Sequence, residues 1–224
     1  MLVVGQDPGQ HESIAHRILV GEAGQRVQGL LAKLGIERSY VMVNAYLYSV
    51  YGQRAGEKHE GNEKIAAYRN RWLDALLIDT QVEAVVSFGH LARSAFEGWQ
   101  ATASGAQSQV TFEHLTHPTM PEASSKGDPA KKATATKKML AQYNAALTRL
   151  DAQLGERDVD RELIAYGDEL LASDRSPIPA YDLPAGAPPW WSSVKQWAAR
   201  KGDTAEEKRA TIEVVVPTAE RPWR

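Results

Sequence analysis

The 224-residue sequence contains no cysteine. That absence excludes disulfides, cysteine-ligated zinc and thiolate-held iron–sulfur clusters. Zinc held by histidine and carboxylates survives the test, but no HExxH-like spacing occurs among the six histidines. Long hydrophobic runs are also missing. None approaches the roughly 18 residues of a membrane span, and the start lacks the basic leader of a signal peptide. There is no excess of one charge either: 26 Lys and Arg stand against 28 Asp and Glu, a formal net charge of -2. Any basic surface must therefore be local. What remains is an ordinary globular composition, 43% hydrophobic and 24% charged, enough for one buried core plus an extension or two small domains. A cytoplasmic monomer without membrane contact, metal or cofactor is the expectation. Met1 abuts the first apolar run, so the chain is expected either to start unusually short or to continue upstream.

That run, Leu2-Val3-Val4, stops at Gly5 and is followed by Gln6-Asp7-Pro8-Gly9. The order reads as a buried strand ending in a tight loop, with Asp7 at the strand's C-terminal end. Asp7 as a simple helix cap is the competing reading. Residues 11–20 are mixed and include His11, His16 and Arg17. Val27, Leu30, Leu31 and Leu34 then recur at helical spacing, and Gly35 closes the helix. Tyr40–Asn44 is a second short strand that ends on a polar residue. Residues 49–62 read as a loop. A helix follows over about 63–78, with Ile65, Tyr68, Trp72, Leu73, Leu76 and Leu77 on one side. Glu83–Gly89 is a third strand, leading into a helix through Leu91 and Phe96. Val110–His117 alternates as a fourth strand and runs into the rigid loop His117-Pro118-Thr119-Met120-Pro121.

Strands alternating with helices imply βαβ crossovers, and therefore a four-stranded parallel sheet between two helical layers. Asp7, Asn44 and His117 then terminate three strands along one sheet edge, where the ligand sites of open α/β sheets lie. Residues 126–138 carry five lysines against one aspartate. Asp128 and Pro129 suit an N-cap and first helical position, with the helix running to about Leu150. Lys131 and Lys132 read either as a solvated helix face or as a phosphate grip. The first domain is placed at 1–150. For 151–224 the expectation is a helix over Val159–Leu171, a proline-rich wrapping arm with five prolines in Ser176–Pro189, tryptophans that pack the arm onto the core, and a late strand over Ala210–Pro217.

In these motifs the sequence resembles the uracil-DNA glycosylase superfamily. Gly5-Gln-Asp-Pro-Gly9 is similar to the GQDPY motif of the family 1 enzymes. Val20-Gly-Glu-Ala-Gly-Gln25 is similar to the family 4 VGxAGQ stretch. Val41–Asn44 resembles the strand that ends in a base-reading Asn, Val85–Gly89 the next strand, and His117-Pro-Thr119 the HPS motif. The resemblance covers about residues 2–145, in the family's order.

It implies that Asp7 orients or activates the attacking water and faces the cationic sugar. His117 would donate a hydrogen bond to the base oxygen on which negative charge develops, and Asn44 would read the base edge. The backbone at Gln6 would complete the oxygen-binding pocket. Pro118, Thr119 and Met120 would contact DNA, Thr119 through phosphate and Met120 as a minor-groove wedge. Three departures stand out. Gly9 replaces the aromatic with which family 1 excludes the thymine methyl. Leu19 occupies the position of the family 4 stacking Phe. The cluster cysteines of family 4 are absent. The implied activity is hydrolysis of uracil from DNA in base-excision repair by a monofunctional enzyme, with uracil-containing DNA as partner. The alternative is a uracil- or damage-binding protein with little turnover, or one that traps the abasic site covalently.

Overall fold

The computed structural model describes residues 1–50 and 53–221. Its centre is a parallel sheet of β1 (Leu2–Gly5), β2 (Val41–Asn44), β3 (Ala84–Phe88) and β4 (Thr111–Leu115), in the order β2-β1-β3-β4. β1 and β3, the two inner strands, are buried along their whole lengths. They read as continuous apolar runs because both of their faces are covered. Side chains alternate between the faces. Leu2, Val4 and Val85 pack with Leu73 and Leu77 of α4 (Glu63–Leu77) and with Phe96 and Trp99 of α5 (His90–Gln100). Val3, Val86 and Phe88 pack on the other side with Val27, Leu30 and Leu31 of α2 (Glu22–Lys33). There they also meet Leu140, Tyr143 and Leu147 of α7 (Pro129–Gln153). The expected three-layer α/β/α architecture is therefore present.

Helix starts follow the side-chain chemistry. Asn62 accepts from the amides of Lys64 and Ile65, and Asp128 from those of Ala130 and Lys131, with Pro129 in the first turn. The mixed stretch after the first loop forms α1 (Gln10–Ala15). The expected loop over 49–62 contains a short helix, α3 (Gln53–Glu57); Tyr51 and Gly52 within it lie outside the described residues. α6 (Met120–Ser125) follows the His117 loop. No helix among the described residues is long and apolar enough to cross a membrane.

Beyond α7 the expectation of a helix over Val159–Leu171 is wrong: this segment is extended. Its polar backbone groups are satisfied by the core rather than by a helical ladder. The amides of Asp158 and Val159 donate to the Gly35 carbonyl. Asn144 of α7 pairs with both backbone groups of Tyr166, at 2.9 and 2.7 Å. Leu163, Tyr166 and Leu170 have helical spacing in sequence, yet each anchors the extended chain to the core.

The arm continues along the outer face of α2, where Lys33 pairs with Asp174 at 2.9 Å and Gln28 donates to Asp182 at 2.9 Å. Gly29 allows this contact, because a Cβ there would stand 2.1 Å from the Asp174 carbonyl oxygen. Trp191 and Trp197 stack at 3.9 Å within a small apolar cluster that includes Ala15, Val20 and Ile178. The expected late strand is shortened to β6 (Ile212–Val214). It pairs antiparallel with β5 (Ala198–Arg200), and α8 (Ala205–Ala210) lies between them in the chain.

Candidate active site at the C-terminal edge of the sheet

β1 and β2 run in register, so Gly5 faces Asn44. A Cβ on Gly5 would stand 2.5 Å from Asn44 Oδ1, so glycine is what lets the amide lie across the strand end. Two residues later Asp7 is partly buried, and its Oδ2 accepts from the Val50 amide at 2.8 Å. Burial pushes the Asp7 carboxyl above its usual range. The Val50 and Ser49 hydrogen bonds and the charge of Arg200 act in the opposite sense. Gln6 accepts from the Leu91 amide at 3.1 Å, which ties the loop to the start of α5.

The C-terminal arm reaches this loop. Gln10 of α1 donates to the Ala198 carbonyl at 2.7 Å, and Arg200, two residues on, supplies the cation that acts on Asp7. No sequence motif pointed to Arg200, because its relation to Asp7 is purely tertiary.

The other half of the edge is the exit of β4. Thr116 donates to Gln142 from both its amide and its hydroxyl, and Tyr143 donates to the Thr116 carbonyl at 2.7 Å. The next residue, His117, accepts at Nδ1 from the Thr119 amide at 3.3 Å. An amide can only donate, so the proton of the neutral ring sits on Nε2, leaving that atom as a donor. Burial, then the charge of Arg26, lowers the His117 pKa to about 4. The ring is therefore neutral at physiological pH.

Arg26 holds the loop. This side chain of α2 is buried, and it donates to the Pro118 carbonyl, to Glu22 at 2.8 Å and to both carboxylate oxygens of Glu122 at 2.8 and 3.1 Å. Burial alone would raise the Glu122 carboxyl, but the Arg26 hydrogen bonds and charge hold it down to about 2. Arg26 follows directly on the Val20–Gln25 motif, yet a lone arginine in an amphipathic helix gave no signal of its role.

β1 and β4 flank β3, so at ordinary strand spacing their ends stand about 10 Å apart. Beside Asn44 opens a cleft of about 1200 Å³, lined near the strand end by Pro8, Ile18, Tyr46, Ser49 and Val50. Neither Asp7 nor His117 is among its lining residues. Leu19 is also absent from the cleft. Its backbone is left-handed (φ 53°) and its side chain is buried in the core cluster with Val27 and Leu30. Ile18, its neighbour, lines the cleft instead. Gly9 is exposed at the N-terminus of α1. Thr119 precedes α6, which begins with Met120; Met120 is partly exposed and Pro118 is buried. Lys131 and Lys132 are exposed on the first turn of α7, paired with Asp128 at 3.5 Å and Glu122 at 3.2 Å.

The family model of the uracil DNA glycosylase superfamily matches residues 1–148. No curated protein gives a significant match. The match spans the whole sheet, from β1 through most of α7, and the carboxylate, amide and imidazole stand at the end of that sheet. The chain belongs to the uracil DNA glycosylase superfamily, whose members are DNA-repair hydrolases acting on DNA.

Proposed function

We propose that this protein is a monofunctional uracil-DNA glycosylase, which hydrolyses the N-glycosidic bond of uracil in DNA without strand cleavage. The observation that supports this reading is the sheet edge itself: a carboxylate just beyond β1, an amide at the end of β2 and a neutral imidazole donor just beyond β4. The target base must leave the stack, and uracil opposite guanine is extruded at low cost. As the C1′–N1 bond breaks, its electron pair goes to the base and the sugar becomes cationic. Asp7, ionised, faces that cation and accepts the proton of the attacking water, whose oxygen forms the new bond to C1′. His117 donates Nε2–H to the base oxygen on which the negative charge collects. The Asn44 amide carries both a donor and an acceptor, which matches the O4 and N3–H edge of uracil and opposes that of cytosine.

The backbone near Gln6 completes the oxygen pocket. Ile18 covers the base from the position that the sequence assigned to Leu19. Gly9 leaves the wall toward C5 open, and Thr119 and Met120 meet the strand beside the lesion, on a loop that the buried Pro118 fixes through its carbonyl to Arg26. Lys131 and Lys132 contribute sequence-independent phosphate contacts.

The test is incubation with a uracil-containing oligonucleotide, followed by alkali to break abasic sites. Wild-type protein is expected to give the alkali-dependent product, without breaks before alkali, and Asp7→Asn to lower the rate by roughly 10²–10⁴-fold. Absence of product at large enzyme excess, on single and double strands alike, would sink the proposal.

A further inference from the structure

The cleft beside Asn44 is larger than one extruded base requires. Its volume, about 1200 Å³, exceeds the roughly 300–1000 Å³ of sites that enclose whole drug-sized ligands. The surplus lies along α4. There Tyr68 and Trp72 stand one helical turn apart, their rings 6.2 Å between centroids and 69° between planes. They keep 49% and 51% of their surface in solvent. Sequence periodicity had put both on the core side of the helix, but Leu73 and Leu77 fill the core without them. Across the cleft Tyr48 is 82% exposed.

The charges are also one-sided. Arg17, Lys64 and Arg69 line the cleft, whereas Glu12 is its one acid among the described residues and already accepts from the Val20 amide. Arg69 Nε is buried without a hydrogen-bond partner among the described residues, and the charge of Glu60 also acts on this guanidinium.

We infer that this cleft binds a single-stranded DNA segment running on from the target nucleotide, with bases stacked on Tyr68 and Trp72 and phosphates held by Arg17, Lys64 and Arg69. Exposed ring faces beside a cationic groove are the recurring recipe for unpaired strands, since every base offers a π-face. In a duplex those faces are covered by neighbouring bases, so the same rings have little to bind. Charge selects a polyanion over an apolar protein segment. Continuity with Asn44 and Ser49 selects the substrate strand itself. The placement rests on the glycosylase reading; the binding does not.

The experiment measures fluorescence anisotropy of a labelled, uracil-free oligothymidylate of about 12 nucleotides, and of a duplex of equal length. The proteins are the wild type, Tyr68→Ala, Trp72→Ala and the double variant. Each alanine is expected to weaken single-strand binding by roughly tenfold, with duplex binding and melting temperature unchanged and Trp72→Phe restoring most of the loss. Uracil excision from single strands should rise in KM at constant kcat. Unchanged single-strand affinity in the double variant would overturn the inference. So would equal losses on both DNAs, or a wild-type dimer that Trp72→Ala dissolves, since the cleft would then belong to a second copy. Ring-dependent single-strand binding by a protein that excises no uracil would leave this inference standing and remove the glycosylase reading. Excision without any ring dependence would do the reverse.

Discussion

In the proposed reaction Asp7 has to be ionised to face a cationic sugar, and its burial works against that. Because burial raises its pKa, the active carboxylate form is lost at a higher pH than for an exposed aspartate. His117 is shifted the other way, to about 4, so it is a neutral Nε2–H donor at neutral pH. The acid limb of log(kcat/KM) against pH is therefore expected to belong to Asp7 and to lie above its ordinary 3.8. Activity should fall as pH drops through that raised value, with no limb near the ordinary 6.5 of histidine. A limb near 6.5 would show that the imidazole titrates normally and that its Nδ1 is not held by Thr119. At this scale the placement of the candidate residues was legible in sequence, because a polar residue that ends an apolar run has few places to go in a parallel sheet. Asp7, Asn44 and His117 each showed that pattern. Leu19 did not resolve, because one left-handed residue exchanged it with Ile18, and periodicity carries no information on a single φ angle.

Among the elements, α2 has the heaviest duty, and Arg26 explains why. It joins the helix to the His117 loop through Pro118 and Glu122, while the arm covers the face turned away from the core. Removing it leaves the Glu22 and Glu122 carboxylates only their longer contacts to Arg175 and Lys132, at 3.7 and 3.2 Å. Arg26→Met is expected to cost about 3–5 kcal/mol, read from denaturant melts. Its signature is electrostatic. With the guanidinium gone, the His117 pKa should rise from about 4 toward 6.5, because one of the two causes of its depression has been removed. An NMR titration of the ring that stays near 4 would show that burial alone sets it. The strands and α2, α4, α5 and α7 were readable from period and caps. Val159–Leu171 was not, because Leu163, Tyr166 and Leu170 are spaced as on a helix but serve as anchors of an extended chain. What decides between the two is the availability of Gly35 and Asn144 as backbone partners, which is a tertiary fact.

On the scale of the whole molecule, the arm beyond α7 behaves as part of the core. Asp158 accepts from three consecutive amides, Glu37, Arg38 and Ser39, at 2.6–2.9 Å, clasping the turn that leads into β2. Those hydrogen bonds, with the Ser39 hydroxyl, hold the Asp158 carboxyl well below its usual range despite the opposing effect of desolvation. Tyr166 closes the apolar cluster between α2 and α7, and Trp191 and Trp197 seal α1 beside the Asp7 loop. Arg200, at the far end, acts on Asp7. A fragment ending at Gln153 would expose the outer face of α2, whose Gly29 and Gln28 are suited to a covering backbone and not to water. It is expected to lose roughly 5 kcal/mol or more, comparable to the whole stability of a typical domain, and to show no cooperative thermal transition by circular dichroism. A fragment that melts at the wild-type temperature would contradict this. A fragment that folds but has lost the acid-limb position of wild type would separate the two duties of the arm, since support of α2 would be dispensable while the charge of Arg200 beside Asp7 would not.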